Sequence, residues 1–446
     1  MTSVTNRAFA LRARLLSPVA GGGLLDIDDG LLEVDERGII QRVEAWPGDA
    51  SAPLSVRDIR PLVLVPGMVD LHAHLPQLPN AGLGSGLDLL TWLDRYIFPL
   101  ERAYDRSVAE RQAPAAWRAF AAAGTTTVVA YAAIWSDSTD AAFAAAEEHG
   151  IRAVIGKVMM DRLTYDTDIA PNEILETSLR QSDELATRWH GRDEGRLSYA
   201  FTPRFAVSCT SEMLAESVAL ARQHGAYWQT HLSEDGGEMV EVGRLFPEAR
   251  DYLDCYERAG GLGPKTIMAH AIHLSDDEVR RLVASGSSVA HCPASNLFLS
   301  SGMMPLAAYR SHGMRIGLGS DVAAGPEVSI FGAMRAGAVT QRVLELTGRA
   351  PRSGALRSID WLRAGTLDGA LALGLGDRIG SLEVGKEADL IAIDPRLTTP
   401  LPGDEPPADA DDIVSRLIFR THPNMVRAAW TRGRALAGPP GLDAIG

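Results

Sequence analysis

Apolar and polar positions change rhythm once along the chain. In residues 1–60 short apolar stretches alternate with Gly and Asp, as in GLLDIDDGLLEVDERGIIQRVE, the pattern of short β-strands and tight turns. From Leu62 onward, runs of strand composition alternate with Ala-rich or Glu/Arg-rich stretches of helical character. Eight runs read as buried strands: PLVLVPGMVDLHAH, TTTVVAYAAI, IRAVIGKVMMD, LSYAFTPRF, AYWQTHLSE, TIMAHAIHL, SVAHCPAS and RIGLGSDV. Helices are predicted between them, including Asp140–His149, Glu212–His224 and Ser275–Ser285. Such alternation implies parallel strands, and eight units in roughly 260 residues fit a (β/α)8, TIM-like barrel.

Beyond the eighth unit lie a helical run, WLRAGTLDGALALGL, and a new β-like stretch, GSLEVGKEADLIAID. A Pro/Asp-rich segment, TTPLPGDEPPADADD, reads as surface linker. The tail MVRAAWTRGRALAG has the β character of the first 60 residues. The expected α/β fold is therefore a barrel over residues 65–376. A small β-sandwich-like domain would form from both chain ends, residues 1–64 and 377–446.

At 446 residues the chain can bury a large core and still carry the smaller domain. A net charge of −14 argues against nucleic-acid or anionic-membrane partners. Cys209, Cys255 and Cys292 form no CxxC pair, so they read as free thiols of a reducing cytoplasm. The N-terminal stretch MTSVTNRAFALRARLLSPVAGGG is broken by arginines and does not read as a signal peptide. No apolar run approaches the roughly 18 residues of a membrane span.

In a barrel of this type, side chains at the C-terminal strand ends converge. The first strand ends in His72-Ala73-His74, whose i, i+2 spacing puts both imidazoles on one side, able to grip one metal ion. The fourth ends in Arg204 and Phe205, and the fifth in His231, followed by Glu234. The sixth carries His270 and His273, the seventh His291, and the eighth ends in Asp321. Six of the 11 histidines thus fall at strand ends, which marks one shared site. His273, three residues past His270, faces the other way and reads as a packing or surface residue. His149, His190, His224, His312 and His422 sit in helix-end or loop contexts and read as surface residues. A His/Asp set suits Zn²⁺, with Fe²⁺ as the alternative. Glu234, three residues past His231, is placed to shuttle protons.

The segments PGMVDLHAH, AHCPASN, GLGSD and GSLEVGKEADLIAID resemble the amidohydrolase superfamily. WLDRYIFPLE, GKVMMDR, TPRF, THLSE, LFPEARDYLDCY and GSDVAAG are similar to the guanine deaminases within it. The resemblance runs from about Val65 to Asp394. It implies His72, His74, His231 and Asp321 as ligands of one Zn²⁺ per chain. His270 would lie beside the metal as a catalytic group, contacting water and substrate. Glu234 would be the proton shuttle, and Asp321 would also hold the nucleophilic hydroxide. Gln77, Arg204, Phe205 and His231 would bind the base.

The implied reaction is attack of metal-bound hydroxide at C2 of guanine, giving xanthine and ammonia, in a cytoplasmic homodimer of purine catabolism. The second reading is deamination of another aminated heterocycle, such as a pterin or a modified purine. Asp235 and the pair Pro326-Glu327 depart from the family pattern. A two-metal, hydantoinase-like site would need a carboxylated lysine; the one candidate, Lys157, lies on the third unit rather than the fourth. The HxE…PCxxC and HExxH zinc signatures are absent.

Overall fold

Two sheets meet at Gly67. The run PLVLVPGMVDLHAH, expected as one strand, is two: Val56–Pro66 belongs to a seven-stranded mixed sheet, and Met68–His74 is the first barrel strand. Residues 62–74 are buried without a break, so hydrophobicity carries no sign of the change. Gly67 does. A Cβ there would lie 2.0 Å from Thr126 Oγ1, so only glycine lets the backbone pass this close. The computed structural model describes residues 8–51, 55–166, 168–350, 356–401 and 403–442.

The barrel strands are Met68–His74, Thr125–Tyr131, Arg152–Gly156, Leu197–Pro203, Tyr227–Leu232, Thr266–His270, Ser288–His291 and Arg315–Leu318. They pair in this order, all parallel. Each lies in one of the eight predicted runs. The first seven are buried at every position, which is why they read as near-continuous apolar stretches. Between the last strand and the first, two backbone bonds close the C-terminal rim. Asp321 N–H donates to His72 O at 2.8 Å, and His74 N–H donates to Val322 O at 3.0 Å. Asp70 reinforces this seam, its Oδ1 accepting from His72 N at 3.1 Å and Ser320 N at 2.9 Å.

The predicted helices appear as Ser136–His149, Ser211–His224 and Asp276–Ser285. Asp235 caps the helix Gly236–Leu245 in a reciprocal capping box with Glu238. Glu327 pairs with Arg335 on the helix Ile330–Leu346 at 2.8 Å and takes no part in the barrel-mouth cavity.

The small sheet runs Arg434–Ala435, Val426–Thr431, Leu390–Ile393, Val56–Pro66, Phe9–Pro18, Leu24–Val34, Ile40–Ala45. Val56–Pro66 joins the two chain ends, pairing parallel with Phe9–Pro18 and antiparallel with Leu390–Ile393. The Pro/Asp-rich segment is not all linker. Asp409 accepts from Asp411 N and Asp412 N and starts the helix Ala410–Phe419. Its aspartates read as loop because capping and loop compositions coincide. Among the described residues, no helix is long and apolar enough to cross a membrane.

Candidate active site

The strand ends bring His72, His74, His231, His270, Glu234 and Asp321 to the barrel mouth. His72 Nε2 and His74 Nε2 stand 3.2 and 3.3 Å from the same atom, Asp321 Oδ1. They are 3.2 Å from each other. Ligand atoms of His72, His231 and His270 also lie within 4.8 Å of one another, as do those of His72, His74 and Asp321. His270 Nε2 is 3.3 Å from Glu234 Oε2 and 3.8 Å from Asp321 Oδ2. Backbone strain gathers in the same place. Ser233, His270 and Asp321 hold φ of 45°, 67° and 48°, each a conformation costing about 1–3 kcal/mol that the surrounding packing must enforce.

Hydrogen bonds set the imidazole tautomers. His231 Nδ1 is 2.7 Å from the carbonyl of Arg204, so Nδ1 carries the proton and Nε2 presents its lone pair. His270 Nδ1 is 2.9 Å from Asn296 Oδ1, with the same result, and His270 Nε2 has no hydrogen-bond partner of its own. Burial pushes His72 down, His231 well down and His270 to about 4, so the three rings are neutral at pH 7. Burial would lift Asp321, but His72, His74 and His270 outweigh it and hold the carboxylate well below its usual range. Converging neutral lone pairs around an ionised carboxylate are the donor set of a divalent cation, and the residues fit one. Glu234 is different. Burial first, then Asp321, pushes its carboxyl well above the ordinary value, which favours its protonated form.

A cavity of about 340 Å³ opens beside these groups. Gln77, Arg204, Phe205, His231, Glu234, His270 and Asp321 line it together with Leu89, Trp92, Leu93 and Leu299. The structure therefore brings together every residue singled out for base binding and catalysis. Behind the cavity sits a residue to which the sequence assigned no role. Glu101 is fully buried and accepts from Gln77 Nε2 at 2.7 Å, Arg204 Nη1 at 2.6 Å and Tyr165 OH at 2.9 Å. It ends WLDRYIFPLE, as Asn296 ends AHCPASN, so both lie in recognisable motifs whose spacing carries no chemical signal.

The remaining candidates lie apart. His273 is an exposed residue whose Nε2 hydrogen-bonds to Ser301 O at 2.8 Å. His291 is fully buried with both ring nitrogens unpartnered, and burial takes it to about 3. His149 and His224 are not bland surface residues: they meet Ala437 O at 2.8 Å and Asp183 Oδ1 at 2.6 Å. Lys157 Nζ donates to Ser178 Oγ at 2.9 Å and lines a separate cavity of about 260 Å³.

The family profile described as "Amidohydrolase family" matches residues 63–436. The chain is 37% identical over 380 residues to the guanine deaminase of Escherichia coli (strain K12), covering 83% of this chain and 82% of that protein. It is 37% identical over 333 residues to the guanine deaminase of Mus musculus, covering 74% and 72%. Among solved structures, the guanine deaminase of C. acetobutylicum with bound guanine in the active site superposes with TM-score 0.88 at 27% identity, covering 96% of this chain and 100% of that one. The chain belongs to the amidohydrolase family and, within it, to the guanine deaminases.

Proposed function

We propose that this chain hydrolyses guanine to xanthine and ammonia. The observation that carries the reading is one cavity lined at once by the His/Asp cluster, by Glu234 and by the pair Gln77 and Arg204. His72, His74, His231 and Asp321 would hold one Zn²⁺ per chain; Fe²⁺ is the alternative for the same nitrogen-rich set. When bound, such an ion supplies Lewis-acid activation of a water at neutral pH.

The chain's own groups do the rest. Arg204 is a donor-only fork suited to O6, and Gln77 offers the acceptor for the adjacent N1–H. Phe205 covers a face of the planar base. Leu89, Trp92, Leu93 and Leu299 supply an apolar wall for the base. Glu234 delivers its proton to N3 as water adds at C2, carries one proton from the added oxygen to the departing amine, and takes back the second oxygen proton as C2=O forms and ammonia leaves. Asp321 accepts a hydrogen bond from the attacking water. His270, neutral and fixed by Asn296, offers Nε2 to the same water and steadies it as C2 becomes tetrahedral.

We read residues 1–64 and 377–446 as one small domain and 65–376 as the barrel. We also read the protein as a cytoplasmic homodimer. Buried free Cys209, Cys255 and Cys292 support a reducing compartment. Val339, Val343 and Leu346, at i, i+4 and i+7 on one face of Ile330–Leu346, leave an exposed apolar stripe that a second copy would cover.

The test is metal analysis with an ammonia-release assay on guanine, other aminopurines and a pterin. Guanine turnover with one zinc per chain is expected, and Glu234→Gln should lower kcat by about 10²–10⁴-fold. A zinc-loaded protein inactive on guanine would overturn the substrate; an active Glu234→Gln variant would overturn the proton path.

A further inference from the structure

Gln77 and Arg204 reach the cavity from different parts of the chain, yet they share one anchor. Glu101 takes Gln77 Nε2 on Oε1, and Arg204 Nη1 with Tyr165 OH on Oε2. All three partners donate, as an ionised carboxylate, which only accepts, requires. The Arg204 guanidinium supplies the compensating charge and also lies 5.4 Å over the Phe98 ring. The Glu101 bond fixes which way round the Gln77 amide lies, since only its NH₂ end can face a carboxylate. Its Oε1 is then the acceptor left for a ligand, beside the remaining N–H donors of Arg204.

A donor next to an acceptor matches a lactam edge, where C=O adjoins N–H. With C2 held toward the His/Asp cluster, it mismatches an amidine edge, whose C–NH₂ would face Arg204 and whose unprotonated ring nitrogen would face Gln77 Oε1. We propose that Glu101 is the specificity-determining positioning residue of this pocket: by locking the Gln77 amide and the Arg204 fork into one donor–acceptor order, it makes the enzyme accept a lactam-edged purine and reject the amidine-edged analogue. This rests on the guanine reading above. A pocket built to hydrogen-bond a particular edge rejects the wrong one strongly, because its own buried polar groups would be left unpaired.

Glu101→Gln presents a group that both donates and accepts, so the Gln77 amide can turn over. Glu101→Asp keeps the charge opposite Arg204, and therefore the fold, but is one methylene too short to hold both partners. The zinc-loaded wild type and both variants are assayed on guanine and on 2,6-diaminopurine, which keeps the 2-amino group and carries the amidine edge. Both variants should raise KM for guanine about tenfold or more with a smaller change in kcat. Both should compress the guanine-to-diaminopurine ratio of kcat/KM by about tenfold or more. If Glu101→Gln does not fold, Glu101→Asp alone decides. Variants that lose both bases in proportion, or that change kcat alone, overturn the role of Glu101. A wild type that releases no ammonia from guanine refutes the functional reading and takes this proposal with it.

Discussion

The carbonyl of Arg204 accepts the Nδ1 proton of His231 at 2.7 Å, while the Arg204 side chain lines the cavity and meets Glu101 at 2.6 Å. One residue thus orients an imidazole with its backbone and faces the base with its guanidinium. The two tasks separate under substitution. Arg204→Lys keeps the carbonyl and the charge but loses the planar fork. Zinc content should stay at one per chain while kcat/KM for guanine falls about 10–100-fold, the worth of a charged hydrogen bond. Metal analysis and steady-state kinetics on the same preparation check this. Loss of zinc in step with activity would show that the side chain supports the metal site after all.

Asn296 Oδ1 fixes the proton of His270 on Nδ1, leaving Nε2 bare 3.3 Å from Glu234. Without that acceptor the ring can change tautomer or turn. Partners of this kind are worth about 10–100-fold in activity, so Asn296→Leu should lower kcat by that factor. Asn296→Asp, which still accepts, should retain most of it. A wild-type kcat in Asn296→Leu would mean that packing alone orients His270.

The barrel was legible because its strands are buried on both faces and therefore spell out apolar runs, and because His72 and His74 share a side at i, i+2. The Gly67 junction was not, since burial continues through it and periodicity has nothing to register. His231, Glu234, His270 and Asp321 could be found by asking what each strand end carries. Glu101 and Asn296 could not. They sit on the helices Phe98–Arg102 and Pro293–Phe298, outside any strand end, and their work is to hold other residues. A carboxylate 24 residues from Gln77 and 103 from Arg204 becomes their common acceptor only once the barrel closes.

Arg152, on the third barrel strand, is a buried charge that ties the barrel to the segment leading into the small sheet. Its Nε reaches Asp389 at 2.9 Å and its Nη2 reaches Glu387 at 2.5 Å, all three buried. Removing one member of such a group strands the others. Arg152→Met should destabilise the protein toward the lower end of about 3–5 kcal/mol, because Arg378 and Arg432 still face Glu387. Denaturant unfolding measures it. Neutral or stabilising behaviour would mean that the ion pair barely recovers its desolvation cost.

Lys157 is buried with Ser178 Oγ as its hydrogen-bond acceptor, and burial lowers its amine to about 7. Between that value and about 10.5, the unfolded chain binds a proton that the folded chain does not. Lys157 therefore costs stability in full below pH 7, and the cost fades as pH rises toward 10.5, at up to about 1.4 kcal/mol per pH unit. Lys157→Met should stabilise the fold at pH 7, and its advantage over wild type should shrink by roughly 2 kcal/mol by pH 9. Urea unfolding of both proteins at the two pH values checks this, and an advantage independent of pH would show that the wild-type amine stays charged in the folded state. The same variant separates two metal chemistries. With one ion held at the barrel mouth, Lys157→Met keeps its zinc and its turnover. A lysine bridging two ions would take both away.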